Sequence, residues 1–257
     1  MPTSTIPGDI IIEDTLTVDT TLVFSTGSIT DTGGSISFGD ENLSTTGTAA
    51  ATKFLGPEVK TDTTTPTDLT ITTGAAKTLM LATPVYKDIN LGGAILSPAP
   101  GLAPGQDEYK DSTGADTGIA TYAIAVGEAV DGSFELQHDY AEGTNLAFHV
   151  HWQGIAAPGG GTDNLQWQLT YTLARDGVAL AAATQIVKEI AFTTQYAFAR
   201  SDFAAIVGTN FKIGDQFLFR LERIAASSDE YGGEALLATC GVHYQVDTLG
   251  SRSIITK

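Results

Sequence analysis

Residues 145–153 read NLAFHVHWQ, and large apolar side chains stand at every second position of this stretch. A repeat of two is the spacing of a β-strand with one buried face, because successive side chains point to opposite faces. The apolar positions are Leu146, Phe148, Val150 and Trp152, and the positions between them are Ala147, His149, His151 and Gln153. The stretch therefore predicts a strand that buries its apolar side chains and turns both histidines to the other face.

The same repeat of two recurs in residues 165–175, LQWQLTYTLAR, and in residues 236–246, LLATCGVHYQV. The apolar face of the second stretch is predicted to begin at Leu236 and to include Cys240. The polar faces of the two stretches carry Gln166, Gln168, His243 and Gln245. Further strands are predicted at 119–126, 133–138, 184–192 and 215–224, and a short helical turn is predicted at 200–208.

About eight strands separated by Gly-, Asp- and Pro-rich turns predict a two-sheet sandwich or jelly roll over residues 78–257. Residues 1–77 differ, since 21 of the first 73 residues are Thr and their only aromatic side chains are three phenylalanines. So few large side chains cannot offset the entropy of ordering the chain alone. This segment is predicted to be an extended β arm or an intertwined β-fibre with a linker; the alternative is a disordered tail. The whole chain is thus predicted to be all-β.

The charge of the chain restricts its partners. The formal net charge is −17, which argues against binding to nucleic acid or to an anionic membrane. No stretch has the roughly 20 consecutive apolar residues of a membrane span, and the N-terminus lacks a secretion signal. We therefore expect synthesis in the cytoplasm and a soluble protein. The single cysteine, Cys240, excludes an intrachain disulfide and is predicted to be a small buried core residue.

The H-x-H of residues 149–151 is the main chemical signal, since two imidazoles at this spacing leave a strand on the same side. It matches the opening of the cupin metal motif, but the Glu that cupins place soon afterwards is missing, as is their second motif. No metal or cofactor is therefore predicted; the candidates, if an ion is bound, are His149, His151 and His243. The chain also lacks G-x-S-x-G, H-E-x-x-H and a phosphate loop, so catalysis is not predicted.

A different site arises if the three alternating stretches share one sheet. Their polar positions would then form one uncharged face suited to a wet subunit interface or to a carbohydrate. The members of this predicted face are His149, His151, Gln166, Gln168, His243 and Gln245. In the carbohydrate alternative, Trp152, Trp167 or a tyrosine is the predicted stacking platform for a glycan.

Several strings resemble a family of tailed-phage virion structural proteins. They are FGDENLSTTGTAAATKF (38–54), LQHDYAEGTNLAFHVHWQ (136–153), WQLTYTLAR (167–175) and HYQVDTLGSR (243–252). The resemblance covers most of the chain and implies a head fibre, a capsid decoration protein or a tail-fibre module, many of which are trimers.

The combined expectation is a homotrimer on the outer surface of the virion, bound to the major capsid protein or to other virion proteins. It would act as a capsid decoration (cement) or head-fibre protein and not as an enzyme. One alternative is a tail-fibre receptor-binding module that recognises a host surface glycan. The second alternative is a cupin-like metal-dependent protein.

Overall fold

The computed structural model describes residues 80–251. The predicted Thr-rich arm of residues 1–77 lies outside this range, and so does the end of the chain from residue 252. In the described range no helix has the length and apolar character needed to cross a bilayer.

The described part confirms an all-β chain, with one 3-10 turn at Gly93–Ile95. Its strands are β1 (Met80–Gly92), β2 (Ser97–Pro98), β3 (Gly105–Lys110), β4 (Asp116–Ile124), β5 (Ala129–Glu135), β6 (Ala147–Gly154), β7 (Asp163–Ala174), β8 (Thr184–Phe192), β9 (Phe198–Asp202), β10 (Gln216–Ile224) and β11 (Ala235–Thr248).

These strands form two antiparallel sheets. The first sheet has the order β3-β4-β11-β6-β9, and β1 pairs with the second half of β11. The second sheet has the order β2-β5-β10-β7-β8. From β4 onward every connection crosses from one sheet to the other, except the hairpin between β7 and β8. This order, β4-β11-β6-β9 against β5-β10-β7-β8, is that of a jelly roll.

The core lies between the inner faces of the two sheets, where the predicted apolar positions meet. Phe148, Val150 and Trp152 of β6 are buried there, as is Trp167 of β7. The two indole rings lie edge to face with centroids 6.4 Å apart, and both side chains are fully buried. Cys240 is buried too, and burial raises the pKa of its thiol, so its predicted role as a small core residue is confirmed.

A β-bulge changes the predicted phase of β11. The register against β6 shifts between Leu237 and Thr239, and Leu237 joins the core cluster between the sheets. Leu236, where the core face was predicted to begin, is also fully buried but lies outside that cluster. From Cys240 onward the predicted alternation holds. An extra residue in one strand re-aims the groups beside it. Here the carbonyl of Leu237 accepts hydrogen bonds from the hydroxyls of Thr121 and Tyr109.

The predicted helical turn at 200–208 is wrong. Residues 198–202 form β9, and a single bridge to Leu146 follows at Ile206. Ser201, within the predicted turn, is buried and accepts a hydrogen bond from Nε1 of Trp152 at 3.0 Å. Pairing with β6 and this buried contact outweigh the weak helical preference of the segment.

Candidate functional site

The outer face of the first sheet brings polar side chains of three adjacent strands together. β6 projects His149 to this face, β11 lies beside it, and β1 pairs with the other edge of β11. In register, Gly241 of β11 stands opposite His149, and His243 stands opposite Asp88 of β1. We call Asp88, His149 and His243 the Asp-His-His cluster.

Gly241 makes the cluster possible. A Cβ atom at this position would lie only 2.3 Å from Nε2 of His149, so any larger residue would meet the imidazole. Because the glycine leaves this space free, the His149 ring lies over β11 and reaches toward β1. It stacks on His243 with ring centroids 4.6 Å apart and an interplanar angle of 29°.

The donor atoms of the cluster lie close together. One ligand atom from each of the three side chains lies within 4.8 Å of the other two. Nε2 of His243 is 3.5 Å from Oδ2 of Asp88. The same carboxylate oxygen accepts a hydrogen bond from Nδ2 of Asn90 at 3.1 Å, which holds the carboxylate on this face.

His149 has an unusual environment for a histidine on the outer side of a sheet. Its side chain is only 2% exposed, and within the described range Nδ1 has no hydrogen-bond partner. Burial lowers the pKa of His149, and Arg200 and His243 lower it further, against a smaller opposing effect of Asp88. The imidazole is therefore held in its neutral form at pH 7.

His151 leaves β6 on the same side, as predicted, but it is not part of the cluster. Its ring meets the His149 ring edge to face at 5.1 Å, and in register it stands opposite Arg200 of β9. The guanidinium of Arg200 pairs with Asp202, with 2.7 Å between Nε and Oδ1. The H-x-H pair thus divides its contacts between two neighbouring strands. Both imidazoles lie outside the core, whose β6 positions are filled by apolar side chains.

The end of β3 covers one end of this face. The side chain of Gln153 on β6 accepts a hydrogen bond from the backbone N–H of Lys110 and donates one to the Lys110 carbonyl. Toward the other end, Gln245 donates a hydrogen bond to the hydroxyl of Tyr86 at 3.0 Å. Two exposed aromatic side chains flank the histidines, namely Tyr86 on β1, 64% exposed, and Phe198 on β9, 60% exposed.

The single polar face predicted from the sequence is in fact two faces. His149, His151, His243 and Gln245 lie on the first sheet. Gln166 and Gln168 belong to β7, so they lie on the second sheet and on the opposite side of the sandwich. Gln168 lines an open groove of about 460 Å³ there, among hydroxyl, amide and charged side chains. Its polar neighbours in that groove include Thr170, Gln185, Arg220 and Glu222.

The predicted stacking platforms are also corrected. Trp152 and Trp167 are fully buried in the core, so neither can meet a glycan. The alternating pattern correctly predicted that both tryptophans face the core. A role in stacking against a glycan would require exposed rings and conflicts with that pattern. Asp88 and Asn90, which complete the outer face, were not predicted. The only sequence signal for them is the alternation of Asp88 and Asn90 with Ile89 and Leu91, whose side chains turn inward.

No protein-family model matches this chain, and no curated protein matches it. Among solved structures, it is similar to a cycloisomaltooligosaccharide glucanotransferase from a Paenibacillus species, complexed with cycloisomaltoheptaose. The identity is 10% and the TM-score is 0.35, over 59% of this chain. The match spans only 18% of the glucanotransferase chain.

Proposed function

We propose that this chain is a structural protein of a tailed-phage virion. In this proposal it assembles as a homotrimer on the outer capsid surface, where it acts as a decoration (cement) or head-fibre protein. Its partners are sister chains and the major capsid protein or other virion proteins.

One observation supports this proposal most directly: two of the strings that resemble virion proteins lie on neighbouring strands. FHVHW lies on β6, and HYQVDT ends β11, some ninety residues later in the chain. The two strands are direct neighbours, and their histidines, His149 and His243, stack on each other. The histidines of these two strings therefore lie together on the outer face of the first sheet, which supports a shared function for that face.

This surface has the composition of a subunit interface. Aromatic side chains are enriched at interfaces, and Tyr86 and Phe198 are both exposed on it. Histidine and glutamine supply hydrogen bonds without a fixed charge of one sign, so two copies can approach without strong repulsion. Three copies around a threefold axis would bury these groups in a closed ring.

The charge and the fold agree with an outer position. A net charge of −17 would repel packaged DNA, which supports a position outside the capsid wall. Jelly rolls occur in capsid proteins and in lectins, so the fold alone does not choose between these functions.

The proposal is tested on particles of the phage whose genome encodes the chain. An antibody against the jelly-roll domain, with gold label and electron microscopy, should decorate the heads evenly. Label confined to the tail tip, or absence of the chain from gradient-purified particles, would contradict a capsid position.

A second candidate is a tail-fibre module that recognises a host glycan, and the groove on the second sheet favours it. The groove offers side-chain amides, hydroxyls, a guanidinium and carboxylates, which are the groups that bind sugar hydroxyls. Specific binding on a glycan array that is lost in Gln168→Ala would select this candidate. An array without hits would leave the capsid role as the better account.

A further inference from the structure

We infer that Asp88, His149 and His243 bind one divalent transition-metal ion, and that zinc is the ion their donor atoms fit best. This inference goes beyond the proposed function and does not rest on it, because a metal could stabilise this face in any of the roles considered above.

The donor types match zinc. Zinc binds imidazole nitrogen at about 2.0–2.1 Å and carboxylate oxygen at about 2.0–2.2 Å, in tetrahedral geometry. Ligand atoms around such an ion stand about 3.4 Å apart. The distance between Nε2 of His243 and Oδ2 of Asp88 is already 3.5 Å. All three donor atoms lie within 4.8 Å of one another, so small side-chain rotations of the partly exposed Asp88 and His243 bring them to bonding distance.

The state of His149 is the second, independent observation. A buried polar side chain is normally hydrogen-bonded, yet Nδ1 of His149 has no partner within the described range. The ring is nearly fully buried and projects over Gly241 toward β1, which carries Asp88. A ring nitrogen that makes no hydrogen bond is available to bind a metal ion.

The surroundings also provide support for the ligands. Asn90 donates a hydrogen bond to Asp88, and such outer partners fix the orientation of metal-binding carboxylates. Three neighbouring strands hold the three ligands, so the backbone positions are set by the sheet before an ion arrives. Three protein ligands leave one tetrahedral position for water or another small ligand.

The test is a zinc titration of the full-length, tag-free protein by isothermal titration calorimetry after treatment with a chelator. We expect one zinc ion per chain. Asp88→Asn, a change of equal size at an exposed position, should weaken binding by more than about tenfold. His243→Gln should do the same, and circular dichroism of each variant shows whether the fold is intact.

Two histidines outside the cluster provide matched controls. His138→Gln and His151→Gln should bind zinc with unchanged stoichiometry and affinity, because neither side chain belongs to the cluster. The inference is overturned if folded wild-type protein takes up no zinc, or if Asp88→Asn binds as tightly as the wild type. Loss of binding in His151→Gln with retention in His243→Gln would also overturn it, since the ligand set would then be a different one.

Discussion

The imidazole of His149 occupies the space that a side chain would need at Gly241, on the neighbouring strand. It brings together the strands that carry two of the strings that resemble virion proteins, 136–153 on β6 and 243–252 on β11. It also brings His149 to His243 and Asp88, so the outer face of the first sheet depends on it.

Replacing Gly241 with alanine should therefore disrupt the face. The new methyl group would stand 2.3 Å from Nε2 of His149, and the ring would have to move. We expect a loss of about 1–3 kcal/mol in the free energy of unfolding, measured by urea denaturation. The control is Gly92→Ala on β1, where a Cβ meets no atom within 4 Å. Equal stability of the Gly241→Ala protein and the wild type would contradict the packing described for His149.

The neutral state of His149 predicts a dependence of stability on pH. Its pKa in the folded protein is lowered by burial and by Arg200 and His243, so the unfolded chain binds the proton more readily. The stability that neutral His149 contributes is therefore fully present above the pKa of an unfolded histidine, about 6.5. It is lost as the pH falls from there toward the lower pKa of His149 in the folded protein.

The measurement is the free energy of unfolding between pH 7.5 and pH 5, with chelator present. The other titratable groups that face this ring are Asp88, His151 and His243. They remain in a His149→Gln variant, which should lose less stability over this interval than the wild type. Parallel curves for the two proteins would assign the pH dependence to other groups.

Arg223 is predicted to be a major stabilising residue of the second sheet. Its guanidinium is buried and donates hydrogen bonds to the carbonyls of Ile124, Tyr231 and Gly233, and it pairs with Glu230. Arg223→Met would leave these buried acceptors without donors, and each unsatisfied group costs about 1–3 kcal/mol of stability. We expect a total loss of about 3 kcal/mol or more in thermal or urea unfolding.

Arg220, on the same strand, provides the control for that substitution. Its pair with Asp131 is partly exposed, with 37% of the arginine side chain accessible. Exposed pairs contribute less than about 1 kcal/mol, so Arg220→Met should change stability little. Similar losses of unfolding free energy in the two variants would show that the burial of Arg223 does not determine its contribution to stability.

The hydrogen bond between Ser201 and Trp152 predicts a smaller effect. Ser201→Ala leaves the buried indole N–H without an acceptor, which should cost about 1–3 kcal/mol in urea unfolding. Ser133→Ala, at an exposed position of β5, is the matched substitution and should have almost no effect. If Ser201→Ala leaves the free energy of unfolding unchanged, another acceptor or a water molecule must replace the hydroxyl.

The sequence predicted the strands that have one fully apolar face. β6, β7 and most of β11 follow the repeat of two because one side of each faces the core. Four strands were missed, namely β1, β2, β3 and β9. They lie at sheet edges, where half-exposed side chains blur the repeat. The bulge at Leu237 was missed as well, because an extra residue shifts the phase without a local sequence signal.

The candidate site was also predicted only in part, but the reason differs from the reason that strands were missed. His149 and His243 were recognised, but their neighbours depend on strand order, which local alternation does not encode. In a jelly roll, β6 and β7 follow each other in sequence yet lie in different sheets. Gln166 and Gln168 were therefore assigned to the wrong face, and Asp88 reached the histidines through the pairing of β1 with β11.

The most direct test of the central claim is the mass of the full-length protein in solution, measured by size-exclusion chromatography with light scattering. The chain mass is 26.8 kDa, and the account predicts three times that value. A double substitution, Tyr86→Glu with Phe198→Glu, should reduce the trimer, whereas Val187→Glu, at an exposed apolar position of the second sheet, should leave it intact. A monomeric wild type, or a trimer unaffected by the double substitution, would contradict assembly through this face.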